Sequence, residues 1–310
     1  MRTFAWRRYQ RALSPIGYCG ITKSYSIACS KTKECILIKL GICNETFKEK
    51  GEFWPLEKIM EYISKVGYQG LEIAPFTLAS SVERISPAKR REIRLLAEDY
   101  GLEIIGLHWL LASPKGLSIT SADKGIRNRT AEYLKSLIDF SSEIGAKLLV
   151  FGSPKQRNIE KDSSYEEARK WAKEVFVKPL DKAKERGVTI CVEPLARRAT
   201  NFINTTEEAV SFIKEINHPN FKLHLDVMAM SDEGKSIPEI IRKNRKHLFH
   251  FHANDANSLG PGFGKVDFGP IIKILKEVKY SGFISVEVFD LSPGSKRIAE
   301  ESIYYLKRFL

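Results

Sequence analysis

Four short stretches decide how this chain folds: VTICVEP at 188–194, FKLHLDV at 221–227, LFHFHAN at 248–254 and FISVEVF at 283–289. These runs are rich in branched and aromatic residues and, like the chain's other strand candidates, mostly lack strict polar alternation, the pattern of strands covered on both faces. Each run ends at a side chain able to bind a metal: Glu193, Asp226, His252 and Glu287. Loop and then helix-like sequence follows every one. Such alternation predicts parallel strands separated by helices.

The same unit extends outward in both directions and repeats eight times. The strands are expected at Ile36–Cys43, Gly70–Ala74, Glu103–Leu107, Lys147–Phe151, Thr189–Glu193, Phe221–Asp226, Leu248–His252 and Phe283–Glu287. Between them run helical segments with recognisable ends. Pro55 opens the first, which stops at Gly67, and Ser86-Pro87 opens the second, which ends at Gly101. The third covers about 128–144 and stops at Gly145; the fourth starts near Ser163, with Glu166 placed for a capping box, and ends at Gly187. Thr205–Ile216, Ile237–Lys246, Phe268–Val278 and Ser295–Phe309 supply the rest, with Asp267 placed to cap the seventh. Eight such units over 36–310 predict an α/β fold, a single-domain (β/α)₈ TIM barrel. A doubly wound open sheet would normally carry a glycine-rich phosphate turn, and neither GxGxxG nor GxxxxGK[ST] occurs.

Residues 1–35 stand outside this periodicity. They carry seven basic residues and one acid, so half of the net charge of +12 sits in this extension. The stretch is read either as a targeting segment or as sequence upstream of the true start. Without a compact apolar core it does not resemble a secretory signal. The remaining charge excess is modest, and no basic cluster interleaves with aromatics, which argues against a nucleic-acid partner. No apolar run has membrane-spanning length. The five cysteines, Cys19, Cys29, Cys35, Cys43 and Cys191, include no CxxC pair and suggest a reducing, cytoplasmic setting rather than a disulfide framework. Cys43 and Cys191 are expected as small core residues.

In a barrel, the four strand-end side chains converge at the C-terminal mouth, where such folds place their chemistry. Neighbouring strands stand about 4.8 Å apart. Carboxylates buried that close repel unless a cation or shared protons compensate them, and three carboxylates with one imidazole form a mixed oxygen and nitrogen site for a divalent ion.

The stretches VEPL, HLDV, HFHANDANSLGPGFGKVDF and SVEVFD, in that order, resemble the xylose-isomerase-like barrel superfamily, which includes ketose 3-epimerases and hydroxypyruvate isomerases. GLHWLL at 106–111 and FGSPKQR at 151–157 are similar to sugar phosphate isomerase/epimerase members. The resemblance spans 36–310. It implies that Glu193, Asp226, His252 and Glu287 bind one divalent ion, Mn²⁺ first, with Mg²⁺, Co²⁺ or Zn²⁺ as alternatives. It also implies that Glu193 and Glu287 form the proton-transfer pair of an isomerase or epimerase acting on a small sugar, sugar phosphate or keto-acid through a metal-bound enediolate. Three positions depart from the epimerase pattern. Ala199 stands where a Glu is common, Ala229 where a His contacts substrate, and Ser258 where an Arg is frequent.

Other polar residues point to the same mouth. Glu72, His108, Gln156, Arg157 and Asn254 are read as contacts to a small polyhydroxylated substrate, with Arg157 able to pair a phosphate or carboxylate bidentately. Asn201 and Asn204 are weaker candidates. His250 reads as a supporting core residue and His224 as a buried strand residue without a role. Three further readings compete: a dehydratase of a keto-inositol or dehydroshikimate-type substrate using the same ion, a non-catalytic barrel, and a nuclease similar to endonuclease IV. The last needs more histidines than the six present. A homo-oligomer is compatible with any of them.

Overall fold

The computed structural model describes residues 38–310. The extension read at 1–35, with Cys19, Cys29 and Cys35, lies outside the described residues. Eight parallel strands close into a barrel in sequence order: β1 (Lys39–Cys43), β2 (Gly70–Ile73), β3 (Glu103–Leu107), β4 (Leu148–Phe151), β5 (Thr189–Val192), β6 (Phe221–Asp226), β7 (Leu248–Ala253) and β8 (Phe283–Val286), with β8 pairing back onto β1. The strand expectations hold within a residue or two at their described ends. Glu193 and Glu287 stand one residue beyond the last paired position, at the start of the loops.

The helices are α1 (Leu56–Val66), α2 (Pro87–Asp99), α3 (Lys124–Glu143), α4 (Tyr165–Glu185), α5 (Thr206–Ile216), α6 (Ile237–Asn244), α7 (Phe268–Glu277) and α8 (Ser295–Lys307). Their ends follow local chemistry. Gly67 closes α1 in the left-handed region at φ 99°, which a residue with a Cβ adopts only under strain. Ser86 accepts from Lys89 N at 3.2 Å ahead of Pro87. Asp267 accepts from Gly269 N at 2.9 Å, as the sequence suggests. Two boundaries move. Helix α3 begins four residues earlier than expected because Asp123 accepts from Gly125 N and Ile126 N and so starts the helix itself. The capping box of α4 is Ser164 with Glu167, one residue later than Ser163 with Glu166.

Short elements escaped the periodic reading, among them an antiparallel ribbon, Lys48–Glu49 with Glu52–Phe53, and a single helical turn at Val227–Met230. Neither is long enough to carry a hydrophobic period. No helix among the described residues is long and apolar enough to cross a membrane.

The main core fills the space between strands and helices. Phe176 on α4 meets Phe151 edge-on at 4.8 Å and Phe221 at 5.1 Å, and all three are fully buried. Cys43 and Cys191 are buried free thiols, as expected. Inside the barrel the packing turns polar: Glu72, His224, His250 and Ser285 are fully or almost fully buried. Register then sets the mouth. Asp226 pairs with His252 across β6 and β7, and Ser285 pairs with His252 across β7 and β8, so Glu287 stands just above the imidazole.

Candidate metal centre and active site

Asp226, His252 and Glu287 each bring one ligand atom within 4.8 Å of the other two, and all three are buried. His252 Nδ1 lies 3.0 Å from Glu287 Oε2. Asp226 is fixed at both oxygens: Oδ1 accepts from Ala229 N at 2.8 Å, and Oδ2 accepts from Asn254 Nδ2 at 2.5 Å. Asn254 is itself oriented by accepting from Met228 N at 2.8 Å. Thus the Val227–Met230 turn pins the carboxylate, and Asn254 meets Asp226 rather than standing free in the mouth.

Glu193, the fourth expected ligand, belongs to the mouth but not to that tight set. Its carboxylate lies against the backbone of Gly152, where a Cβ would overlap Oε2. Gly152 is therefore a space requirement of Glu193. Burial, then the nearby Glu287 and Asp226, push the Glu193 acid well up. Burial and Glu287 push Asp226 up to about 6. For Glu287, burial works upward, but His252 outweighs it and holds the carboxyl below its ordinary value. Burial opposes a charge on His252, yet Glu72 and Glu287 on its two nitrogens raise it well above the usual imidazole range. Acids sharing so little space call for positive charge between them. Two carboxylates, one imidazole and a third carboxylate beside them are the oxygen-rich donor set a divalent cation takes.

Glu72 is where the structure departs from the sequence reading. Expected as a substrate acceptor, it is wholly buried beneath the triad. One oxygen lies 3.1 Å from His252 Nε2 and the other contacts His250 Nε2. Burial alone would raise its acid, but His250 and His252 bring it well below the usual range. A carboxylate bonded to one imidazole nitrogen fixes the ring's orientation and directs the other, Nδ1, toward Glu287. His250 is the supporting core residue anticipated. His224 is fully buried with its ring centroid 4.1 Å from that of His252; burial, then the neighbouring imidazoles, press its pKa well down, so it stays neutral. Its two nitrogens have no partner among the described residues.

Arg157 is likewise not a free anion clamp. It is fully buried, donates to Glu193 O at 2.6 Å and to Phe151 O at 2.5 Å, and lies over the Phe151 ring. It ties the ends of β4 and β5 together and so sets the backbone that carries Glu193. Gln156 is half-buried in the Pro154–Gln156 turn, where its carbonyl accepts from Ile119 N at 2.9 Å. Asn201 accepts from Ile159 N, and Asn204 donates to Leu195 O and Thr200 O; both serve the loop after β5.

His108 follows β3 and is nearly fully buried; its Nε2 lies 2.7 Å from Glu45 Oε2. Burial works to lower its pKa, but Glu45 more than compensates and the net shift is upward. Glu45 was missed in the sequence. It sits two residues beyond β1, in the turn Asn44–Thr46, and a carboxylate just past a strand end was the available signal. The next residue after His108, Trp109, holds φ at 51°, a strained conformation for an aromatic residue. Its ring stands between Phe76 and Phe289, at 6.4 and 6.3 Å, and Phe76 meets Phe53 at 5.7 Å. Four loops thus build one aromatic wall.

A parallel barrel with this centre matches the family described as xylose isomerase-like TIM barrel over residues 60–309, and the chain belongs to that family. Its relatives include a D-psicose 3-epimerase of Ruminiclostridium cellulolyticum, 28% identical over 232 residues, which cover 74% of this chain and 77% of that one. A probable ketose 3-epimerase of Synechocystis is 24% identical, with 87% and 96% covered. A crystal structure of a D-psicose 3-epimerase in the presence of D-fructose superposes with a TM-score of 0.78 at 21% identity, over 88% of this chain and 99% of that one, a likeness in fold.

Proposed function

We propose that this protein is a divalent-metal-dependent epimerase or isomerase of a small ketose or related sugar. The observation that carries the reading is the Asp226, His252 and Glu287 cluster with Glu193 beside it, on a barrel related to ketose 3-epimerases. Asp226, His252, Glu287 and Glu193 would hold the ion, with Mn²⁺ the first choice for this oxygen-rich set and Mg²⁺, Co²⁺ or Zn²⁺ as alternatives. When bound, the ion supplies Lewis acidity that makes a C–H beside a substrate carbonyl easier to ionise.

The chain's own groups do the rest. Asn254 and the Ala229 N–H hold Asp226, and Glu72 holds His252, so that neither must be ordered when substrate arrives. Glu193 and Glu287 are the proton-transfer pair: one carboxylate takes a proton from carbon, and the other delivers a proton to the opposite face. Little water reaches either group, since Glu193 is 6% and Glu287 5% exposed. The test is turnover of D-psicose, D-tagatose and L-ribulose by Mn²⁺-loaded protein, wild type against Glu287→Gln. Equal turnover in both removes Glu287 from proton transfer.

A dehydratase using the same donors is the second reading, since Ala199, Ala229 and Ser258 depart from the free-ketose epimerase pattern that the resemblance implies. Formation of an enone chromophore without an isomeric product would select it.

A further inference from the structure

The Glu45–His108 pair has no part in the ion's donor set, yet one atom each from Cys43, Glu45, His108 and Glu287 fall within 4.8 Å of one another. Glu45 therefore stands directly beside one member of the proton-transfer pair, on the β1 to β3 side of the mouth. Its position is built rather than incidental. The preceding Asn44 accepts from Ala74 N and donates to Thr77 Oγ1, both at 2.7 Å, which staples the loop after β1 to the loop after β2. His108 holds Glu45 Oε2 from the far side. The strained Trp109 lets consecutive residues of one loop serve two purposes, with His108 directed to Glu45 and the indole to the aromatic wall.

What this arrangement leaves over is an unmet acceptor. Glu45 Oε1 is buried and has no partner among the described residues. A buried carboxylate oxygen without a donor is destabilising, so a donor from outside the chain is the expected complement. Hydroxyl groups are the donors a polyol brings. At three positions of the β5 to β8 loops the chain carries Ala199, Ala229 and Ser258; the two alanines have no polar side-chain atom, and Ser258 contacts Met228 Sδ at 3.6 Å.

We propose that Glu45 is a substrate-contacting residue that accepts a hydrogen bond from a hydroxyl of the polyhydroxylated substrate, and that His108 is the residue that positions it. Polar recognition of the substrate is thereby carried by the loops after β1 and β3. The assignment rests on the ketose reading above and adds a specificity-determining residue to it.

The test is calorimetric binding of D-psicose and its monodeoxy analogues to Mn²⁺-loaded protein. The wild type should lose about 10- to 100-fold in affinity for the one analogue lacking the contacted hydroxyl, the range for a hydrogen bond to a charged group. Glu45→Ala, shown to be folded by a cooperative melt, should bind D-psicose and that analogue alike. His108→Phe should lose the same discrimination, and His108→Gln, which keeps a donor, should recover part of it. If the wild type binds D-psicose and Glu45→Ala retains full discrimination, the assignment is overturned and the ketose reading survives. If the wild type binds no ketose, both fall together.

Discussion

The mouth of this barrel has two halves built by different means. On the β5 to β8 side, four consecutive strands each deliver one donor at or just past their ends: Glu193, Asp226, His252 and Glu287. On the β1 to β3 side the polar groups come from unlike places: Glu45 from a turn, Glu72 from within β2, and His108 from the residue after β3. The halves meet at His252, whose Nδ1 faces Glu287 and whose Nε2 faces Glu72. A repeated supersecondary unit can place one functional group per repeat, whereas the second half depends on which loops and layers happen to face one another. The first half carries the groups proposed to hold a cation, and the second supports them from behind and beside.

Breaking the first half should cost most. Glu287→Gln removes a group proposed for proton transfer, and turnover should fall about 1,000-fold, within the range for a positioned acid or base. Steady-state rates on a turned-over ketose check this, and a loss under tenfold would assign the proton step elsewhere. Next comes the junction between the halves. Glu72→Gln leaves every donor of the first half in place but removes the charge behind His252, so Mn²⁺ affinity should drop about 10- to 100-fold. Competition with a metallochromic chelator reads this directly; an unchanged affinity would show that the two halves act independently.

Smaller effects sharpen the picture at its margins. Arg157→Met strands the carbonyls of Glu193 and Phe151 without their buried donor, which should cost about 3 kcal/mol of stability. Urea unfolding measures it, and a cost near zero would show that Arg157 does not tie β4 to β5. The Ser164 side chain bonds only with Glu167 and with no group of either half, so Ser164→Ala removes just the capping box of α4. It should cost about 1 kcal/mol with turnover unchanged. Any loss of rate there would mean that α4 reports to the mouth.

Legibility in the sequence follows the same division. Apolar runs spaced by capped helices are local features, so the eight strands and eight main helices were visible with end errors of a few residues. The ribbon at 48–53 and the turn at Val227–Met230 are shorter than any period and stayed hidden. Asp226, His252 and Glu287 converge because a parallel register carries strand ends to one rim. Arg157 shows the limit of that logic. A basic residue in a loop at the mouth reads as an anion clamp, and only folding reveals that its guanidinium turns inward to two carbonyls.

What the amino-acid sequence determined alone was the barrel and the set of groups able to hold a cation, because both rest on hydrophobic spacing and on side-chain chemistry at strand ends. Tertiary structure decided how those groups are used. It set Glu72 behind His252 instead of in the mouth, tied Asn254 to Asp226, placed Glu193 over Gly152 outside the tightest cluster, and brought Glu45 to His108 across 63 residues of chain. Closure of the barrel makes neighbours of strands one, two, three, seven and eight, and contacts across such distances leave no periodic trace in the order of residues.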